Sequence, residues 1–139
     1  MLIVCAHCLT TNRVPSERAA QDPTCGHCHK PLLDGHPAVL DDRTFDAVAG
    51  KTELPVVVDF WASWCGPCLQ MAPQFETAAQ QLKGHALFVK IDSDASPQLS
   101  ARFGIRSIPT LLLLKAGKEH KRQAGATQAA QIVNWVQAA

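Results

Sequence analysis

The chain of 139 residues carries thirteen Lys and Arg against twelve Asp and Glu, a net charge of +1 with six neutral histidines, with 47% hydrophobic and 18% charged residues. That balance can bury a core and excludes a disordered chain, while the length admits one ordinary domain with a small appendage but not two large domains. The basic residues form no cluster that would favour nucleic acid, and no apolar run approaches the ~20 residues needed to cross a bilayer.

Met1-Leu2-Ile3-Val4 is too short for a secretory apolar segment and has no basic residue before it, so a soluble, cytoplasmic, monomeric protein is expected. In a reducing compartment the six cysteines are better read as metal ligands and catalytic thiols than as structural disulfides.

The head, residues 1–35, holds Cys5-Ala6-His7-Cys8 and Cys25-Gly26-His27-Cys28, two Cys-x-x-Cys pairs with sixteen residues between them. Such a doubled pair has the spacing of a zinc ribbon or knuckle. Each tight loop offers two thiolates with backbone N–H groups facing them, and four thiolates close a tetrahedral sphere. Cys5, Cys8, Cys25 and Cys28 are therefore the expected ligands of one structural zinc. A segment of about thirty residues buries too little surface to fold alone, so the metal would supply most of its folding free energy. A second redox dithiol, an iron–sulfur cluster, or a ligand set including His7, His27 or His29 stay open. Arg13, Arg18 and Lys30 against Glu17, Asp22 and Asp34 leave the head neutral, which speaks against nucleic acid.

Turn formers at Asp34-Gly35-His36-Pro37 separate the head from an alternating α/β pattern over residues 36–139. Ala38–Leu40 is a short strand, and Asp41 or Asp42 can cap a helix through about Ala49. Val56–Trp61 is β-branched and aromatic, hence a buried strand. Cys68, Ala72, Phe75, Ala79 and Leu82 then recur at helical steps, giving a helix over about residues 67–83 that Pro73 should kink. A strand over residues 86–92, a helix over 97–103 and a strand over Thr110–Lys115 follow, the four leucines of the last indicating burial on both faces. An edge strand over residues 119–124 and a final helix carrying Ala129, Ile132, Val133 and Val136, with Thr127 as N-cap, complete the chain. The predicted fold is α/β, a mixed central sheet with helices on both faces.

Trp64-Cys65-Gly66-Pro67-Cys68 lies where the second strand gives way to the second helix. Cys65 precedes the helix, where unpaired N–H groups and the positive dipole end stabilise a thiolate, and Pro67 suits the first turn because its missing N–H costs nothing there. Cys68 begins the buried stripe. The two sulfurs are thus unequal: Cys65, expected to be exposed, attacks a disulfide in another molecule, and Cys68 resolves the mixed disulfide. A static disulfide or half of a metal site is the alternative.

From residue 38 onward the chain resembles the thioredoxin family. The resemblance rests on Asp59-Phe60-Trp61-Ala62-Ser63-Trp64-Cys65-Gly66-Pro67-Cys68, Pro73, Phe103-Gly104-Ile105-Arg106-Ser107-Ile108-Pro109-Thr110, Gly117 and Gly125, and with the doubled cysteine head it is to that family's zinc-binding thioredoxin 2 type. It implies a protein-disulfide reductase that acts on disulfide-containing protein substrates without an organic cofactor and is recharged by thioredoxin reductase from NADPH. It implies a cis Ile108-Pro109 bond facing the dithiol, with Ile108 pairing an incoming substrate strand beside Trp64, Gly66 and Pro67. It also implies that Asp59 accepts the proton of Cys68 and that Lys90 partners Asp59. Trp61 and Trp135 are expected as packing residues and Trp64 as a surface platform. His36, His85 and His120 are expected on the surface without partners. Leu69 departs from the lysine or arginine that many members carry after the second cysteine.

An oxidant of exported proteins would need a signal segment and another dipeptide between the cysteines. A head that serves as an interaction module, for protein docking or redox sensing, is the alternative from a different class, the sensor being physically reasonable because oxidised cysteines cannot hold zinc.

Overall fold

The computed structural model describes residues 1–138. In the head, β1 (Leu2–Val4) pairs antiparallel with β2 (Thr11–Arg13), bracketing the first cysteine loop, and Thr24 bridges Pro31 across the second. These short pairings were not visible in the sequence, since three residues carry no readable period.

The body runs β3 (Ala38–Leu40), α1 (Phe45–Ala49), β4 (Val56–Trp61), α2 (Gly66–Gln81), β5 (Leu87–Asp92), α3 (Pro97–Arg102), β6 (Thr110–Lys115), β7 (Lys118–Ala124) and α4 (Ala129–Gln137). Its five strands lie in the order β3-β5-β4-β6-β7. β3 and β4 run parallel to β5, β6 runs antiparallel to β4, and β7 runs antiparallel to β6, so the sheet is mixed as expected. The thiol motif leaves β4, the central strand.

The strand period of two splits the core between two faces. Val57, Phe88, Leu111 and Leu113 pack with Met71, Phe75, Ala78 and Ile132 of α2 and α4. Val56, Val58, Phe60, Leu112 and Leu114 face the opposite side with Phe45, Val48 and Leu99. The leucines of β6 alternate between these two cores, which accounts for their burial on both faces. The edge strand β7 is mostly exposed and basic, a composition that resists edge-to-edge pairing.

The head shares the second core: Ile3, Val4, Val14, Leu32 and Leu33 are buried in one cluster with Phe45, Val48, Val58 and Leu112. Hydrogen bonds reinforce the seam, with the Val4 N–H donating to the buried Thr52 hydroxyl at 3.1 Å and the Glu53 N–H to the Leu2 carbonyl at 2.9 Å. Asp22 of the head pairs with Lys83 just beyond α2.

Several expected helix ends shift. α1 begins at Phe45 behind Thr44, because the Asp41 carboxylate accepts the N–H groups of Arg43 and Thr44 and closes a turn before the helix. Asp42 instead accepts the Gln98 and Leu99 N–H groups at 3.1 and 2.9 Å, so it caps α3 from across the fold. α4 is capped at Gln128 and not at Thr127. The Gln131 carboxamide oxygen accepts the Gln128 N–H, and Gln74 of α2 takes up the Ala129 N–H at 2.9 Å. α2 begins at Gly66 and remains one helix through Pro73 to Gln81.

Gly84 packs against the Ala20 backbone where the body meets the head. Its φ is +80°, and a Cβ there would stand 2.6 Å from the Ala20 backbone. Gly84→Ala is expected to lower unfolding stability by about 2 kcal/mol or more, combining left-handed strain with a backbone clash. Urea midpoints would measure this, and an unchanged midpoint would mean that the seam is not tightly closed.

Candidate active site and metal centre

The chain turns at the end of β4, with the Cys65 N–H donating to the Ala62 carbonyl at 3.2 Å. Cys65 is the N-cap of α2, in extended backbone geometry, and its Sγ accepts the Cys68 N–H at 3.2 Å. A cysteine sulfur thus occupies the place usually filled by a serine or aspartate oxygen. Pro67 lies in the first turn. Cys65 and Cys68 form a disulfide with their Cα atoms 5.2 Å apart. The expectation that Cys65 is exposed needs correction: it is 5% exposed against 2% for Cys68. Its Sγ sits 3.8 Å from the Ile108 carbonyl oxygen, and neighbouring Trp64, 69% exposed, faces solvent in its place. The Trp64 indole N–H donates to the Asp94 carboxylate at 2.7 Å, which fixes the ring beside the dithiol.

Asp59, on the same strand, is fully buried, and neither carboxylate oxygen has a hydrogen-bond partner among the described residues. Burial pushes its carboxyl up to about 7, with Lys90 opposing that rise. Lys90 is the register neighbour of Asp59 on β5. Its ammonium lies 4.4 Å from the centre of the Trp61 ring, so its effect on Asp59 is a through-space charge effect rather than a hydrogen-bonded ion pair. The Ile108–Pro109 bond is cis and precedes β6, with Ile108 packed against the small cluster of Ala62, Cys65 and Cys68.

In the head, the ligand atoms of Cys5, Cys8, Cys25 and Cys28 lie within 4.8 Å of one another. Cys5 to Cys28 and Cys8 to Cys25 are each 3.6 Å, close to the ~3.8 Å edge of a tetrahedron with 2.3 Å metal–sulfur bonds. The His7 and His27 N–H groups donate to the Cys5 and Cys25 sulfurs at 3.4 Å, and no histidine belongs to the cluster. Hydrogen bonds led by the Cys28 N–H hold the Cys25 thiol down to about 5, whereas burial pushes Cys5 up to about 11. The donor set fits tetrahedral zinc.

The sequence profile of the thioredoxin family matches residues 36–138. The chain belongs to the thioredoxin family. A second profile, for the zinc-ribbon N-terminal region of thioredoxin 2, matches residues 4–30. The chain is 45% identical to thioredoxin C-3 of Corynebacterium nephridii over 136 residues, covering 98% of this chain and 93% of that one. It is 39% identical to the thioredoxin of Haemophilus influenzae over 97 residues, covering 70% and 91%. A crystal structure of chloroplastic thioredoxin z matches with a TM-score of 0.68 at 33% identity, over 74% of this chain and 93% of that one. As a thioredoxin, the protein is a thiol–disulfide oxidoreductase of the protein-disulfide reductase class.

Two contributors to these sites, Asp94 and Asn12, escaped the sequence reading, as did one surface pair. Asp94 gave no signal, because an acid thirty residues from its tryptophan has no local pattern. Asn12 is bonded to both cysteine loops. His36, expected to lack a partner, bonds Glu76 of α2, and that bond with nearby Asp34 raises its ring above the usual histidine range.

The Asp59 carboxyl is raised in the folded state relative to the unfolded chain. The folded state therefore holds the extra proton between about pH 4 and pH 7, and stability falls as pH rises through that window. Asp59→Asn removes the cost, so the stability difference between the oxidised variant and wild type should grow across those pH values to an order of 4 kcal/mol. Urea unfolding at several pH values measures it, and parallel curves would contradict a buried, ionising Asp59.

Proposed function

We propose that the protein is a cytoplasmic thioredoxin that reduces protein disulfides through Cys65 and Cys68 and is recharged by thioredoxin reductase with electrons from NADPH. The observation that carries this reading is the Cys65 sulfur at the N-terminus of α2, accepting the Cys68 N–H at 3.2 Å.

In the reduced protein the same N–H and the helix dipole favour negative charge on Cys65 over Cys68. The Cys65 thiolate attacks one sulfur of a substrate disulfide. A new sulfur–sulfur bond forms, the substrate bond breaks, and the departing substrate thiolate takes a proton from solvent. Asp59 accepts the Cys68 proton, and Cys68 then attacks the Cys65 sulfur. This forms the Cys65–Cys68 disulfide present in the structure and expels the second substrate thiolate. Lys90 tunes Asp59 through charge alone.

Trp64, Gly66 and Pro67 with the cis Ile108–Pro109 turn form the docking rim. In this reading the Ile108 carbonyl, 3.8 Å from the Cys65 sulfur, accepts an N–H from an extended substrate segment. Backbone pairing of this kind leaves side-chain specificity loose.

Cys5, Cys8, Cys25 and Cys28 hold one structural zinc. When bound, it supplies the head with folding free energy and no catalytic step. Removing it with a strong chelator should lower the melting temperature and free four thiols per chain, while metal analysis of the untreated protein gives one zinc. A chelated protein that keeps its melting temperature would contradict the structural role.

Insulin reduction with thioredoxin reductase and NADPH tests the reaction. Cys65→Ser should abolish turnover and Cys68→Ser should accumulate a mixed disulfide on Cys65, whereas full activity in Cys65→Ser would refute the mechanism. In stopped-flow at neutral pH, Asp59→Asn should slow resolution more than formation of the mixed disulfide, by about 10- to 100-fold. An unchanged resolution rate would remove Asp59 from the reaction.

A further inference from the structure

The two cysteine loops of the head correspond position by position. The first cysteine's carbonyl accepts the N–H four residues on, Leu9 to Cys5 at 2.8 Å and His29 to Cys25 at 2.9 Å. Leu9 and His29 share a φ of +65°. The first cysteine's own N–H donates to the carbonyl five residues on, Thr10 in one loop and Lys30 in the other, both at 2.9 Å. Val4 faces Thr11 as Thr24 faces Pro31. The backbone is thus repeated, and the repetition exposes where the side chains differ.

The Cys8 thiol donates to the Thr10 hydroxyl oxygen at 3.3 Å; a metal-bound thiolate has no proton, so there the hydroxyl donates to the sulfur instead, whereas the corresponding Lys30 has no hydroxyl. Asn12 directs its amide toward the Cys25 sulfur at 3.5 Å, and it ties the loops together by donating to the Thr10 carbonyl and accepting the Gly26 N–H. Its counterpart is the apolar Leu32. Cys5 and Cys25 are 0% exposed and out of reach. Cys8 and Cys28 are both partly exposed. Of these two, Cys8 has the Thr10 hydroxyl, while no hydrogen-bonding N–H or O–H group approaches the Cys28 sulfur among the described residues; its sulfur neighbour is Cys5, at 3.6 Å.

Donors around a metal-bound thiolate hold its lone pairs and lower its nucleophilicity. We propose that Cys28 is the modification site of the four-cysteine centre, the thiolate to which α,β-unsaturated carbonyl compounds add first. This rests on the zinc reading given above. In the addition, a Cys28 lone pair forms a sulfur–carbon bond to the β-carbon as the carbon–carbon π bond opens. The resulting carbanion takes a proton from water, and nothing is oxidised or reduced. The thioether left behind is no longer a thiolate ligand, so the centre keeps three.

The test uses the full-length, zinc-loaded protein in its oxidised form, so that Cys65 and Cys68 cannot react. N-ethylmaleimide is added below one equivalent, adducts are mapped by proteolysis and mass spectrometry, and zinc release is followed with a chromogenic chelator. The first adduct should be at Cys28, formed roughly tenfold faster than at Cys8, with Cys5 and Cys25 labelled only after zinc has left. Lys30→Thr, which places a hydroxyl at the corresponding position, should bring Cys28 and Cys8 toward parity, and Thr10→Val should do so by raising Cys8. A first adduct at Cys8, an even spread over the four cysteines, or ratios unmoved by both substitutions would overturn the proposal. Purified protein that contains no zinc would overturn the metal reading itself, and the proposal with it.

Discussion

The chemistry of this chain depends on how each Cys-x-x-Cys loop is left by the backbone. All three loops share one bond: the N–H four residues after the first cysteine donates to that cysteine's carbonyl, from Leu9, His29 and Leu69 at 2.8, 2.9 and 3.1 Å. In the head the donating residue is left-handed, and the chain turns back to pair with itself, so two sulfurs face inward from each of two loops. In the body Leu69 continues into α2, so the first sulfur caps a helix and the second enters the buried face. Metal binding and thiol exchange thus follow from one loop with two exits. Leu9 and Leu69 occupy equivalent places, which shows that the choice is made by the strand or helix that follows and not by that residue.

The same dependence links the site to the core. β4 is the central strand, and its apolar residues serve both faces of the sheet, so the end that delivers Cys65 is fixed from both sides. Asp59 is the one charged group in that strand, and its burial without a hydrogen-bond partner among the described residues is a cost that simple packing would remove. The proton-acceptor role proposed for Asp59 gives that cost a use. The head is part of this frame, since its apolar residues complete the core on the α1 and α3 side. The folding of the head therefore bears on the body through shared packing.

The strand and helix sequence of the body was legible because its segments are long and periodic, and β4 with the α2 stripe located the dithiol. The four head cysteines were legible from spacing, since two tight loops leave few ways to arrange four sulfurs. What the sequence could not carry was side-chain reach across the fold. Asp42 looked like a cap for α1 and caps α3, and the α4 cap moved by one residue because Gln131 and Gln74 supply the acceptors. Lys90 lies beside Asp59 in register as strand pairing requires, yet its ammonium rests on Trp61, a choice settled by side-chain packing. The low exposure of Cys65 has the same origin, because Ile108 arrives from another segment to cover it.

The start of α2 makes the two body thiols unequal, and alkylation of the reduced protein at neutral pH reads that inequality. Limited iodoacetamide followed by peptide mapping should place the first label on Cys65, with Cys68 unmodified while the protein stays folded. A first label on Cys68, or equal labelling of the pair, would contradict the account.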